Sequence, residues 1–177
     1  MAFYTIVSNN TRRMQINKTL HSFIRLIILI LLSLKLIAGG FQQIDYIQNF
    51  LPSWDLAFNL EIILRKHLYI HSFLVFIGII GVFINRRLGL VLMLIFPFWV
   101  ISDALIAFIF PMDFIWYVNE YRLIVAIILV VLVNSLQLIQ RDYSLLIKRS
   151  FFLNGIAFSF GLLISSGIWY LYERLMI

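Results

Sequence analysis

Asp103 is the residue in this sequence whose position most requires a chemical explanation. It stands well inside the apolar run Leu88 to Phe110, where an ionised carboxylate costs roughly 2.5 to 3.5 kcal/mol or more and must face protein or water. Lys35 poses the same problem inside the run Ile24 to Phe41. Counted at 1.5 Å per residue from the start of each run, Lys35 lies roughly 16 Å and Asp103 roughly 22 Å along. The gap of about 6 Å is within the reach of a lysine side chain. The spacing therefore predicts an ion pair between Lys35 and Asp103 that pins the first run to the third. The same two groups are what a proton or ion pathway would use.

Further polar groups interrupt the apolar runs. Asn134, Ser135 and Gln137 form a cluster in the run Leu123 to Ile139, and Ser102 precedes Asp103. Amides and hydroxyls in such places join helices through hydrogen bonds worth about 0.6 to 2 kcal/mol. Ala157, Gly161 and Ser165 recur every four residues in the run Phe151 to Tyr172, a flat stripe that lets another helix approach closely. Its partner is expected in this chain, in a second copy or in another protein.

His67 and His71 stand four apart, so a helix would place both on one face, where imidazoles bind metals. Two ligands are too few, and no spacing ties Asp45, Asp55 or Glu61 to them, so no metal site is expected. Arg65 and Lys66 beside His67 read as interfacial anchors that could also meet an anionic headgroup. Glu61, Arg65, Lys66, His67 and His71 are thus the candidates for a site at the membrane surface. A paired catalytic Asp set, a Ser with a His on another run and a zinc-binding His-Glu-x-x-His are all missing from the sequence. No catalytic residue and no cofactor are expected. With no Cys in the chain, thiolate metal ligands, iron–sulfur clusters and thiol chemistry are excluded.

These residues have to be positioned by elements suited to lipid. Hydrophobic residues make up 63% of the 177 and charged ones 12%, with a mean hydropathy of +1.00, a balance that a water-soluble domain of this size does not carry. The apolar residues come in long runs without strand-like alternation, and Pro and Gly number only 3 and 8, which favours helices over a transmembrane barrel. Five runs approach the roughly 17 to 25 residues that cross the hydrocarbon. The reading is an all-α polytopic bundle in one membrane domain, with an N-terminal segment 1–23 and spans at 24–41, 68–84, 88–110, 123–139 and 151–172. The first run is expected to be retained, although Ala38-Gly39-Gly40 supplies small residues after it.

Between the first two spans, Phe41, Ile44, Ile47 and Leu51 recur at helical spacing among Gln, Asp and Asn. Segment 42–67 is therefore expected to hold an amphipathic helix on the outer surface, broken by Pro52-Ser53. Arg86-Arg87 leaves room for only a tight turn, so the second and third spans should be antiparallel neighbours.

The bases set the orientation. With the N-terminus inside, the inner segments hold Arg12, Arg13, Lys18, Arg25, Arg86, Arg87, Arg141, Lys148 and Arg149 against the single acid Asp142, as cytoplasmic loops do. The outer segments carry six acids, Asp45, Asp55, Glu61, Asp113, Glu120 and Glu173, and four bases, Arg65, Lys66, Arg122 and Arg174. The C-terminus then lies outside, and Trp54, Trp116, Trp169 and nearby tyrosines fall at the outer headgroup level. The charge of +6 is thereby explained by orientation, and no nucleic-acid partner is expected.

The order of a first span ending in Gly39-Gly40, an outer amphipathic segment and a hairpin turning on Arg86-Arg87 resembles small DoxX-type membrane proteins over roughly the first hundred residues, by hydrophobic pattern alone. That group typically shows four spans, against the five read here. The expected function is a non-catalytic subunit or partner protein of a larger assembly in a bacterial inner membrane, held in the bilayer with a protein partner or as a homo-oligomer. The alternatives are a small oligomeric channel or transporter using Asp103, Lys35 and the Asn134 cluster, and an enzyme of lipid or envelope chemistry.

Overall fold

The tight turn at the second and third apolar runs is where the local chemistry is simplest. Helix α2 (Leu68–Phe83) ends and helix α3 (Arg87–Ile109) begins within a few residues. The Ile84 backbone N–H donates to the Gly81 carbonyl at 3.2 Å to close the end of α2. Gly81 and Gly89 let the two backbones meet: a Cβ on Gly81 would lie 2.7 Å from the Gly89 carbonyl oxygen, and one on Gly89 would strike the Ile84 carbonyl. The hairpin expected from Arg86-Arg87 is thus built on two glycines that flank it.

A computed structural model of the chain describes residues 2–50, 68–84, 87–109, 120–140 and 143–176. Three more helices complete the described fold: α1 (Ala2–Phe50), α4 (Glu120–Gln140) and α5 (Tyr143–Met176). Every element among the described residues is a helix. The central element is α3, which packs against α2, α4 and α5; α1 lies against α2 and α4, and α4 also touches α5.

Helix α1 differs most from the sequence expectation. It does not end near Phe41 but continues to Phe50, and it includes the segment before residue 24. As far as Phe50, the segment expected as a separate surface helix is an extension of the first; 51–67 lies outside the described residues. The physical reason is the lack of a breaker: no Pro precedes Pro52, and Gly39-Gly40 costs a helix only about 1 kcal/mol per residue. At 1.5 Å per residue, 49 residues reach roughly 74 Å, well beyond a bilayer. Likewise α5 begins at Tyr143, ahead of the apolar run.

Three stretches, Asn17–Asp45, Arg87–Ile109 and Phe151–Leu171, are long and apolar enough to cross a membrane, and Tyr69–Phe83 and Tyr121–Leu136 are shorter apolar helices. Their outward faces carry large apolar side chains such as Phe108, 85% exposed, and Phe151, 81% exposed. Water would not tolerate so much of this surface, and lipid would. The protein is a helical membrane protein.

The core lies between the helices and is almost wholly apolar. Ile28 and Leu32 of α1, Val75 of α2, Leu94 and Phe96 of α3, and Leu129 and Val133 of α4 are fully buried there. Pro97 sits inside α3; lacking an N–H, it releases the Met93 carbonyl from the helical ladder.

Candidate functional site

The polar side chains of the described bundle gather at two levels. One lies where α1 passes Gly39, α2 and α4 begin, and α3 approaches its end. The other lies further along α4, at Asn134.

At the first level, α1 presents Lys35, Gly39, Gln42 and Gln43 on one face, because residues four, seven and eight apart share a side of a helix. Gly39 makes room for α2: a Cβ there would lie 2.9 Å from Ser72 Oγ and 3.2 Å from His71 Nδ1. Gln43 Nε2 donates to Ser72 Oγ at 2.9 Å. From α4, Arg122 Nη2 donates to Gln42 Oε1 at 3.4 Å. Two helices are therefore tied to α1 through neighbouring glutamines.

His71 is only 6% exposed. Its ring stands edge-on to Phe96, with centroids 5.2 Å apart, and against Trp99 at 6.3 Å. Its Nε2 is buried without a hydrogen-bond partner among the described residues. The sequence reading puts His71 at the membrane surface beside His67; the structure puts it between helices, because Gly39 leaves the space an imidazole fills. Ser102 is fully buried nearby in sequence to Trp99 and likewise shows no partner for its Oγ.

The charges of this level act on one another. The cation whose field reaches the Asp103 carboxylate is Arg122. Lys35 acts on Arg122 as a like charge, and both cations act on His71. Asp103 also lines a small cleft with Ile106, Ala107, Ser165 and Trp169. That cleft offers about 10 Å³, roughly the room of a single water. The sequence spacing brings Lys35 toward Asp103, whereas the cationic field acting on Asp103 is that of Arg122, and Lys35 feels Arg122 as a like charge. Arg122, counted among the outer bases because it borders the apolar run, stands in the first turn of α4 and reaches Gln42 of α1, a tertiary contact that spacing does not reveal.

At the second level the amides of Asn134 and Asn154 bond to each other. Asn134 Nδ2 donates to Asn154 Oδ1 at 3.2 Å, and Asn154 Nδ2 donates to Asn134 Oδ1 at 2.8 Å. Asn134 Nδ2 also meets the Val130 carbonyl at 2.9 Å, and Ser135 Oγ donates to the Leu132 carbonyl at 2.7 Å. Asn154, on α5, is the partner that sequence reasoning missed. Its signal was present as an Asn three residues into an apolar run, the same kind of interruption that marked Asn134.

The stripe on α5 faces α3. Ala157 is fully buried, and Ser165 Oγ donates to the Trp99 carbonyl at 3.4 Å. A Cβ on Gly161 would lie 2.7 Å from both the Phe98 carbonyl carbon and the Trp99 nitrogen. Phe98 and Phe158 meet edge-to-face at 5.8 Å alongside. Glu61, Arg65, Lys66 and His67 lie outside the described residues, as does the Gln137 side chain. Among the described residues, no three His, Asp or Glu side chains come together closely enough to hold a metal ion.

No protein-family model matches the sequence, and neither the curated proteins nor the solved structures provide a match. The resemblance to DoxX-type proteins is therefore one of hydrophobic order, and the chemistry must be argued from these residues.

Proposed function

We propose that this chain is a non-catalytic, multi-pass component of a larger membrane assembly, in a bacterial cytoplasmic membrane with its N-terminus inside and its C-terminus outside. The observation that carries this reading is the apolar seal between the two polar levels. Arg122 and Asn134 are roughly 18 Å apart along α4. The inward residues between them, Ala126, Leu129 and Val133, are fully buried against an apolar core. Ions and polar solutes need polar or wet surroundings at membrane depth, and none connects the two levels among the described residues. The Asn134–Asn154 pair moreover spends its amides on holding α4 to α5.

With an apolar core between the two levels among the described residues, binding is the role this reading gives the chain. The stripe on α5 is already occupied by α3, so partner contact falls to other faces. Helix α1 exposes Leu20, Phe23, Leu26, Ile30, Leu34, Ile37, Phe41 and Ile44, a continuous apolar seam at steps of three and four residues that suits a neighbouring helix as well as lipid. The basic segments assigned to the inside support the orientation.

The test against conduction is flux through proteoliposomes holding the full chain alone. No proton, cation or anion flux above protein-free vesicles is expected. Flux that Asp103→Asn abolishes would replace this reading with a channel or transporter.

A further inference from the structure

Helices α3 and α5 run side by side in the same direction. Gly161 meets Phe98 and Trp99, Ser165 meets Trp99, and one turn further Trp169 lines a cleft with Asp103, Ile106 and Ala107. The Ser165 hydroxyl, which lines the same cleft, donates to the Trp99 carbonyl at 3.4 Å. In the helical ladder of α3 that carbonyl also accepts the Asp103 backbone N–H. Ser165 Oγ therefore stands beside the backbone of Asp103, and the cleft both residues line brings hydroxyl and carboxylate within the span of one small molecule. Ala107, four residues on from Asp103, leaves space there that a longer side chain would fill.

The size and chemistry of the cleft select its occupant. At about 10 Å³ it has room for one water, and polar groups line it, whereas empty cavities in proteins are apolar. Ser165, 2% exposed, spends its proton on Trp99, so the oxygen lone pairs remain to accept. The Asp103 carboxylate has about four lone-pair sites, a capacity beyond the interactions it already makes. Two acceptors match the two protons of a water. A bare divalent cation takes about six or more oxygen ligands, and among the described residues no three His, Asp or Glu gather to supply them.

We propose that the cleft between α3 and α5 binds one resident water, which donates one hydrogen bond to the Asp103 carboxylate and the other to Ser165 Oγ. The water ties the two helices together and gives an acid at membrane depth the wet neighbour it requires. This site is independent of whether the chain works with a protein partner.

The test uses the full chain in nanodiscs, isotope-labelled at its alanine methyl groups, and reads cross-relaxation between water and each methyl by NMR. Ala107 lines the cleft, while Ala126 and Ala157 are fully buried in the core and serve as dry references. Ala107 is expected to give a water cross-peak at least threefold stronger than either reference, with the opposite NOE and ROE signs of a water that tumbles with the protein. Asp103→Asn, which keeps an acceptor oxygen, should keep that cross-peak. Ser165→Ala and Asp103→Leu each remove one of the two acceptors and should each lower it at least threefold. Unshifted Ala126 and Ala157 methyls show that a variant keeps its core; if Asp103→Leu fails that check, Ser165→Ala with Asp103→Asn carries the test.

A cross-peak that survives Asp103→Leu would come from the Ser165 hydroxyl itself and would overturn the proposal. So would an Ala107 signal no stronger than the references, or one that Ser165→Ala leaves unchanged. Replacing sodium in the buffer by choline should change nothing; an unfolding temperature and an Ala107 cross-peak that both fall without sodium would overturn the proposal in favour of a bound cation.

Discussion

Asn134 on α4 and Asn154 on α5 bond to each other in both directions, at 3.2 and 2.8 Å, twenty residues apart in sequence. Each amide satisfies the other, which is the arrangement least costly to bury in a membrane bundle. The pair fastens α4 to α5 at this level.

Replacing Asn154 with Leu should therefore lower stability by about 1 to 2 kcal/mol, because it leaves the Asn134 carbonyl oxygen without its donor. Replacing both by Leu should cost no more than the worse single change, since no amide is then left half-satisfied. Thermal unfolding in detergent of the two single variants and the double variant checks this; strictly additive losses would show that the pair does not act as a unit.

Gly161 lets the backbone of α5 approach that of α3 closely at Phe98 and Trp99. Gly161→Ala should destabilise the bundle by about 1 to 3 kcal/mol through overpacking against Phe98 and Trp99. Gly155 and Gly167 on the same helix have open space where a Cβ would go. Alanine at either should be neutral, or stabilising by up to about 1 kcal/mol through helix propensity. Parallel unfolding curves of the three variants make the comparison, and equal behaviour at all three positions would contradict the packing described.

Arg122 and Asp103 should be energetically coupled. In a double-mutant cycle, Arg122→Gln is expected to be partly rescued by Asp103→Asn, with a coupling of about 1 kcal/mol or more. The corresponding cycle of Lys35→Met with Asp103→Asn should be additive within about 0.5 kcal/mol. The reverse pattern would restore the ion pair that sequence spacing alone suggests.

How much of this was legible before any coordinates depended on where the information lies. The bounds of α2 and α3 could be read almost to the residue, because two apolar runs meet at Arg86-Arg87. The extent of α1 could not, since the periodic Phe41, Ile44 and Ile47 fit a separate surface helix as well as an extension of the first, and no Pro or cap marks where α1 stops. The Ala157, Gly161 and Ser165 spacing identified a contact face but not its partner, because any smooth helix surface would satisfy it. Asn134 was visible as a polar interruption, whereas its pairing with Asn154 is a tertiary fact. His71 was misplaced because it borders an apolar run, where an amphipathic residue ordinarily faces the headgroups, and only the approach of α1 at Gly39 puts it between helices.

Gentle extraction of the full chain from its native membrane, followed by native mass spectrometry, tests the proposed role most directly. The protein is expected to leave the membrane with one or more different proteins in fixed stoichiometry. Recovery solely as copies of itself, with no other protein attached at any detergent strength that keeps it folded, would contradict its place as a component of a larger assembly.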